Sequence, residues 1–355
     1  MESKNTIIQI DFAGLNDSAD LQNIISSAFG FDGLGILLVN NVPGLSELRS
    51  KTLPLIKKFA ELPDNIKGKY EHPQSYYSFG WSHGKEKMKK DTPDVMKGSY
   101  YFNPEYDSPY EEEYVKKYPL LCHPNIWPTD IMPDFSHKTM ELSALVMNLA
   151  KKILFQCDKY INSIYPDHDI TKLLRMATSC RVNKGRLLHY FPVREITEGQ
   201  NHWNGIHNDH SFLTGLVSSM YLDSNYVEVP PPDNNCGLYI KSRSGDTVKI
   251  KIPENSIAFQ IGESACICSG GLLQATPHYV KAPSLASDIS RESLAIFISA
   301  KWDTILDPPK GCSHENIFKG STSQYLPPGV PLLESRWKPG MDYETFCHNT
   351  FASYY

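Results

Sequence analysis

The sequence predicts a mainly β protein with flanking helices, whose strand-rich part closes into a sandwich, jelly roll or barrel. Three observations carry this expectation. From about residue 178 the chain breaks into short alternating segments separated by Gly, Pro, Asn and Asp: "SCRVNKGRLLHYF", "GIHNDHSFLTGLVSSMYLD", "GLYIKS", "TVKIKI", "SIAFQIG", "QATPHYV" and "ESLAIFISA". Ahead of them, "FSHKTMELSALVMNLAKKILFQC" (135–157) repeats apolar residues at helical spacing and is the longest predicted helix. The opening reads as a small α/β unit.

In order, "TIIQIDF" is a short strand, and "DSADLQNIISSAFG" is a helix begun by an Asp or Ser cap and stopped at Gly30. "LGILLVNN" is a second strand, and "PGLSELRSKTLPLIKKFAELP" a second amphipathic helix. Residues 76–109, rich in Tyr, Gly and Lys, lack clear periodicity and read as a functional or mobile loop. These boundaries divide the chain into an N-terminal α/β region with its loop (1–110), a helical segment (111–177), a β core (178–305) and a Pro-rich C-terminal tail (306–355), all in one compact unit. Gly237 and Gly262 are expected to serve turns.

With a formal charge of -5, 41% hydrophobic and 21% charged residues, the composition is that of a globular protein. The basic stretches, such as "KEKMKKD", are too short for a phosphate-binding field, so nucleic acid is not an expected partner. Neither a signal-peptide pattern nor a run near the ~18 apolar residues of a membrane span occurs, so a cytoplasmic protein without membrane association is expected. Eight scattered cysteines with no C-x-x-C pair read as buried thiols, with Cys266 and Cys268 sharing a strand face.

"GIHNDHSFLT" (205–214) sets three ionisable groups in four positions. On a strand, His207 and Asp209 project together and His210 points away. An imidazole beside a carboxylate makes two thirds of a 2-His-1-carboxylate facial triad, which binds Fe(II) on one face and leaves the opposite positions open. The pair by itself is weak, since about one H-x-D arises by chance at average composition. "QATPHYV" adds His278, and "SRESLAIFIS" puts Arg291 and Ser293 on one strand face with Leu294, Ile296 and Ile298 on the other. A guanidinium fork and a neighbouring hydroxyl can hold a carboxylate.

This layout resembles the iron(II)- and 2-oxoglutarate-dependent dioxygenase superfamily, in its isopenicillin N synthase-like branch. "HNDHSFLT" is similar to that family's H-x-D-x-x-x-L-T, "SGGLLQATPHYV" to its distal-histidine segment, "RES" to its R-x-S, and "IIQIDFAGL" with "GILLVNNVPGL" to its N-terminal region. The resemblance implies a distorted double-stranded β-helix of the jelly-roll type, with His207, Asp209 and His278 as Fe(II) ligands. It implies Arg291 and Ser293 as the clamp for the 5-carboxylate of 2-oxoglutarate, and O2 as oxidant. In the family the cosubstrate is split to succinate and CO2, and an Fe(IV)-oxo species takes a hydrogen atom from a small organic substrate.

The chain departs from the family in two places. "LLHYFP" puts His189 and Phe191 where plant-type members carry the Asn and second Tyr of N-Y-Y-P, so a cosubstrate hydrogen bond is expected to be missing or replaced. The stretch between His278 and Arg291 is longer than the family's. In isopenicillin N synthase the same clamp holds the substrate's carboxylate, which leaves open an Fe(II) oxidase or cyclase that uses no 2-oxoglutarate. A catalytically silent metal-dependent binding module also remains open.

Blander readings stand beside these. His207, Asp209 and His278 could form a satisfied polar core, and Arg291 with Ser293 a structural ion pair at a strand end. His210 and His202 read as non-ligands, and "DHD" (167–169) as a solvated helix cap. Tyr76, Tyr77, Lys97, Tyr100 and Tyr101 lie where family members build a substrate wall, yet could equally pack their loop on the barrel. The oligomeric state is not legible.

Overall fold

The computed structural model describes residues 6–85, 87–89, 92–196 and 202–354. Strand β1 (Ile8–Asp11) runs parallel to β2 (Ile36–Asn40), with Ile8 opposite Leu37. Between them α1 (Gln22–Phe29) ends at Gly30 as expected, but begins after Leu21 without a side-chain cap. Then follow α2 (Leu45–Ala60), α3 (Asp64–Lys67), β3 (Gly80–His83), the short ribbon β4 (Lys87–Lys89) and β5 (Thr92–Pro93), and β6 (Lys97–Phe102). Residues 76–109 are therefore not an irregular loop throughout: β3 and β6 pair antiparallel inside them, and β6 joins the main sheet. A local sequence window cannot register pairing with strands that lie about 90 residues further on.

Helices α4 (Glu112–Lys117), α5 (Pro119–Cys122), α6 (Phe135–Ile164) and α7 (Lys172–Ser179) come next. The helix expected over 135–157 runs on to Ile164, because Ile161 still meets the core. The strand-rich half supplies β7 (Lys184–Tyr190), β8 (His202–His207), β9 (Leu213–Val217), β10 (Met220–Leu222), β11 (Gly237–Lys241), β12 (Thr247–Lys249) and β13 (Ile257–Ile261). Helix α8 (Glu263–Cys268), β14 (His278–Lys281), β15 (Ser290–Ile298), α9 (His314–Phe318) and α10 (Tyr343–Tyr354) complete the chain. Cys266 and Cys268 thus lie in α8 rather than on a strand, although both are buried free thiols as expected.

The nine-stranded sheet has the order β1-β2-β13-β9-β15-β7-β6-β3, with β10 also on β15; the four-stranded sheet is β12-β11-β14-β8. Strand alternation gives each sheet two faces. The inner faces meet in one core, where Leu188, Tyr190, Ala258 and Ala295 of the large sheet pack with Trp203, Leu238, Ile240 and Val280 of the small one. Two sheets so joined make the jelly roll.

The outer face of the large sheet carries Leu187, Phe259, Leu294 and Ile296 against Phe59 of α2 and Leu142, Val146 and Ile153 of α6. Each such side chain contributes about 1.5–3 kcal/mol by leaving water. Gly215 lets α6 approach β9 closely, for a Cβ there would fall 2.4 Å from Val146. The tail also enters this core through Leu306, Trp337, Tyr343 and Phe346. Among the described residues no helix is long and apolar enough to cross a membrane.

Candidate metal and carboxylate site

Strand β8 ends at His207, which faces His278 at the start of β14. Asp209 therefore lies two residues beyond the strand, in a turn, and not on it as the alternation argument required. The turn nevertheless brings the carboxylate back. One ligand atom from each of His207, Asp209 and His278 lies within 4.8 Å of the others, the only such cluster among the described residues. Asp209 Oδ1 is 3.6 Å from His207 Nε2 and 3.8 Å from His278 Nε2.

Each ligand is oriented from behind. His207 Nδ1 lies 2.7 Å from the Gly205 carbonyl, which can only accept, so the proton sits on Nδ1 and Nε2 faces the cluster. Thr214 on β9 donates to Asp209 Oδ2 at 2.6 Å, and so presents Oδ1 to the histidines. The Gln260 amide on β13 lies 2.6 Å from His278 Nδ1, and Gln260 Oε1 has no partner among the described residues. Gln260 Nε2 also donates to the Thr276 carbonyl at 3.2 Å, so this side chain bridges Thr276 and His278 Nδ1 and holds the ring with Nε2 toward the cluster.

The electrostatics suit a cation. Burial alone would raise the Asp209 carboxyl, but His278, His207 and the Thr214 hydroxyl hold it far below the usual range. Burial, with His207 beside it, pushes His278 down to about 4, so its imidazole is neutral at pH 7. The side chain of His207 is 27% exposed against 9% for His278 and 6% for Asp209, so the site opens past His207. His210 points away and packs on Tyr343 and Phe351.

The second part of the site comes from β15. Arg291 pairs in register with Tyr190 of β7 and Tyr221 of β10, and cross-strand partners share a face. Its guanidinium lies 4.7 Å over the Tyr190 ring. Burial pushes the Tyr221 phenol up, and the adjacent Arg291 opposes that shift. Arg291 is only 6% exposed, yet Nε and Nη1 have no hydrogen-bond partner among the described residues. Two orphaned donors of a buried cation, two residues from the Ser293 hydroxyl on the same strand face, are a chemistry suited to an anion such as a carboxylate.

Several expected wall residues lie elsewhere. His189 projects to the outer face, where its Nδ1 is 2.9 Å from Glu292 Oε2, and Phe191 packs against His189 and His83 rather than toward Arg291. Tyr190, between them, is the tyrosine whose ring meets Arg291. Tyr100 is also on the outer face, its hydroxyl donating to the Ile126 carbonyl. Tyr76 is 76% exposed, and Lys85 lies over the Tyr77 ring. Lys97 and Tyr101 do face inward, but Lys97 is ion-paired with buried Asp94, and Arg186 covers Tyr101.

His202 begins β8 and packs on Tyr279 instead of lying in a loop. In the "DHD" stretch Asp169 does bond the Thr171 amide, whereas His168 is buried on Asp158. Sequence reading passed over Tyr190, Tyr221, Thr214 and Gln260, of which only Thr214, inside the quoted motif, carried a local signal.

Residues 7–130 match the family model described as non-haem dioxygenase in morphine synthesis N-terminal. No curated protein matches the chain in sequence. The chain is similar to a full-length Neurospora crassa protein solved in complex with alpha-KG and thymine, at 19% identity and TM-score 0.71, covering 100% of this chain and 99% of that one. It is similar to a 2OG-Fe(II) oxygenase family protein of Caulobacter crescentus, at 17% identity and TM-score 0.70, covering 98% and 99%. It is also similar to dioxygenase for auxin oxidation 1 of Arabidopsis thaliana, solved with 2-oxoglutarate, at 17% identity and TM-score 0.61, covering 92% and 100%. The chain thus shares its fold with these structures along its whole length, and its sequence matches the N-terminal dioxygenase model over residues 7–130.

Proposed function

We propose that the protein is a non-haem Fe(II) oxygenase that uses 2-oxoglutarate and O2 to oxidise a small organic molecule. The observation that carries this reading is a pairing inside one barrel: a buried His-Asp-His cluster, and a buried arginine with two donors left over. Neutral imidazoles and an ionised carboxylate are the donor set that Fe(II) takes, so His207, Asp209 and His278 would hold it. The metal, when bound, supplies the redox chemistry that activates O2.

The chain's own residues do the rest. Arg291 and Ser293 grip the distal carboxylate of 2-oxoglutarate, and the Tyr190 ring backs the guanidinium. Thr214, Gln260 and the Gly205 carbonyl hold the three ligands in orientation toward one point. Trp203, Leu188 and Ala295 line the barrel with apolar surface and limit water. The substrate enters past His207, the most exposed ligand. That relatives are solved with 2-oxoglutarate, and one with thymine, supports the cosubstrate and a small-molecule guest.

Anaerobic titration of the Fe(II)-loaded protein with 2-oxoglutarate tests this. A weak visible charge-transfer band is expected, absent in Asp209→Ala. Iron binding without a band in the native protein would remove 2-oxoglutarate from the reading.

A further inference from the structure

The turn that carries Asp209 leaves β8 directly after His207, so its backbone has no ladder to lie in. Other groups bind it atom by atom. The Glu263 amide donates to the Asp209 carbonyl at 2.8 Å, the Ser264 hydroxyl to the His210 carbonyl at 2.6 Å, and the Ser264 amide to the Ser211 carbonyl at 3.3 Å. Gly262 permits this approach, since a Cβ there would fall 2.0 Å from the Ser211 carbonyl oxygen. The start of α8 is thus clasped to the turn.

The remaining supports come from the C-terminal tail. The Asn208 amide, between the two ligands of the turn, donates to the Tyr354 hydroxyl at 3.0 Å. The Asn208 side chain donates to Glu263 Oε1 at 3.1 Å. Glu263 is in turn gripped by Arg336 through two bonds of 2.6 Å, with both residues 1% exposed. Arg336 also donates to the Leu332 and Pro331 carbonyls and to Thr350 of α10, so every part of its fork is engaged. His210 closes the contact against Phe351.

We propose that the C-terminal tail is a working part of the metal centre: Tyr354 of α10 directly, and Arg336 ahead of that helix through Glu263, are positioning residues that hold the His207–Asp209 turn in its ligating shape. The inference rests on the metal-binding reading above. Its physical basis is the location of the Asn208 amide. Deprived of its acceptor, a buried N–H relaxes toward another partner, and one residue on either side is a ligand. Neighbours that orient ligands in this way are worth about 10–100-fold in metal affinity.

The test is titration of the full-length protein with Co(II) alone, following the visible bands that report coordination, alongside thermal unfolding without metal. Tyr354→Phe removes one oxygen and keeps the ring. It should weaken Co(II) binding roughly tenfold and alter the band envelope, with little change in the metal-free unfolding midpoint. Arg336→Lys keeps the charge but loses the fork, and should weaken binding further. Ser353→Ala, whose hydroxyl donates to Asn349 within the same helix, should bind as the native protein does.

Native affinity and an unchanged spectrum in Tyr354→Phe would overturn the proposal. So would a lowered unfolding midpoint with unchanged affinity, which marks a merely structural contact. If the native protein itself takes up neither Co(II) nor Fe(II), the functional reading falls and this inference with it.

Discussion

The two faces of β15 differ in who completes them. On the outer face, Ser290 accepts from Lys57 of α2 at 3.1 Å, Glu292 meets His189 at 2.9 Å, and Leu294 and Ile296 pack on the helices. On the inner face, one residue along, Arg291 is also buried, though 6% exposed, and leaves two donors unbonded among the described residues. A buried donor without a partner costs roughly 1–3 kcal/mol, more when charged. The outer face is largely met by the protein itself, with Glu292 Oε1 its one atom here without a partner among the described residues, whereas the inner face leaves two donors of a cation open. Alternation along nine residues thus separates stability from function.

That comparison can be broken or sharpened by substitution. The largest effect is expected for Asp209→Ala, which removes the sole carboxylate from the inner cluster: iron content and turnover should fall to background while the protein stays folded, as read by metal stoichiometry and circular dichroism. Arg291→Lys comes next. It keeps the charge and loses the fork, so the apparent dissociation constant for 2-oxoglutarate should rise roughly tenfold or more, the worth of one charge-assisted hydrogen bond.

The matching change on the outer face, His189→Leu, should do the opposite. It strands a buried carboxylate and should lower stability by about 2–3 kcal/mol in a denaturant titration, with the 2-oxoglutarate requirement unaltered. A raised requirement in His189→Leu, or an unaltered one in Arg291→Lys, would erase the distinction between the faces. Thr214→Val is the mildest test: loss of the hydroxyl behind Asp209 should weaken iron binding by about tenfold, measured by competition with a chelator.

Much of this was legible in the residues. Short apolar alternation marked β7, β9, β13 and β15, and helical spacing marked α6, because both patterns record which side of a local element meets a core. The trio His207, Asp209 and His278, and the neighbours Arg291 and Ser293, could be named from motif and order. The differences were of another kind. His189 and Phe191 were candidates for the pocket, and Tyr100 for either the pocket wall or the packing of its loop; the structure turns all three to the helical side. Parity along β6 and β7 was readable, but which parity faces the barrel depends on the register with β15, about 100 residues away. Asp209 was assigned to a strand and lies in a turn, so its approach to His207 had a different cause from the one inferred.

The sequence by itself determined the type of fold and named the candidate ligands and the candidate clamp, since these depend on residue type and short spacing. Only the tertiary structure decided which groups stand behind them. Gln260 reaches His278 across 18 positions, Tyr190 reaches Arg291 across the sheet, and Tyr354 reaches Asn208 across 146. No local pattern encodes such pairs, because a hydrogen bond has no sequence period and is drawn only when the two sheets and the tail close on one another.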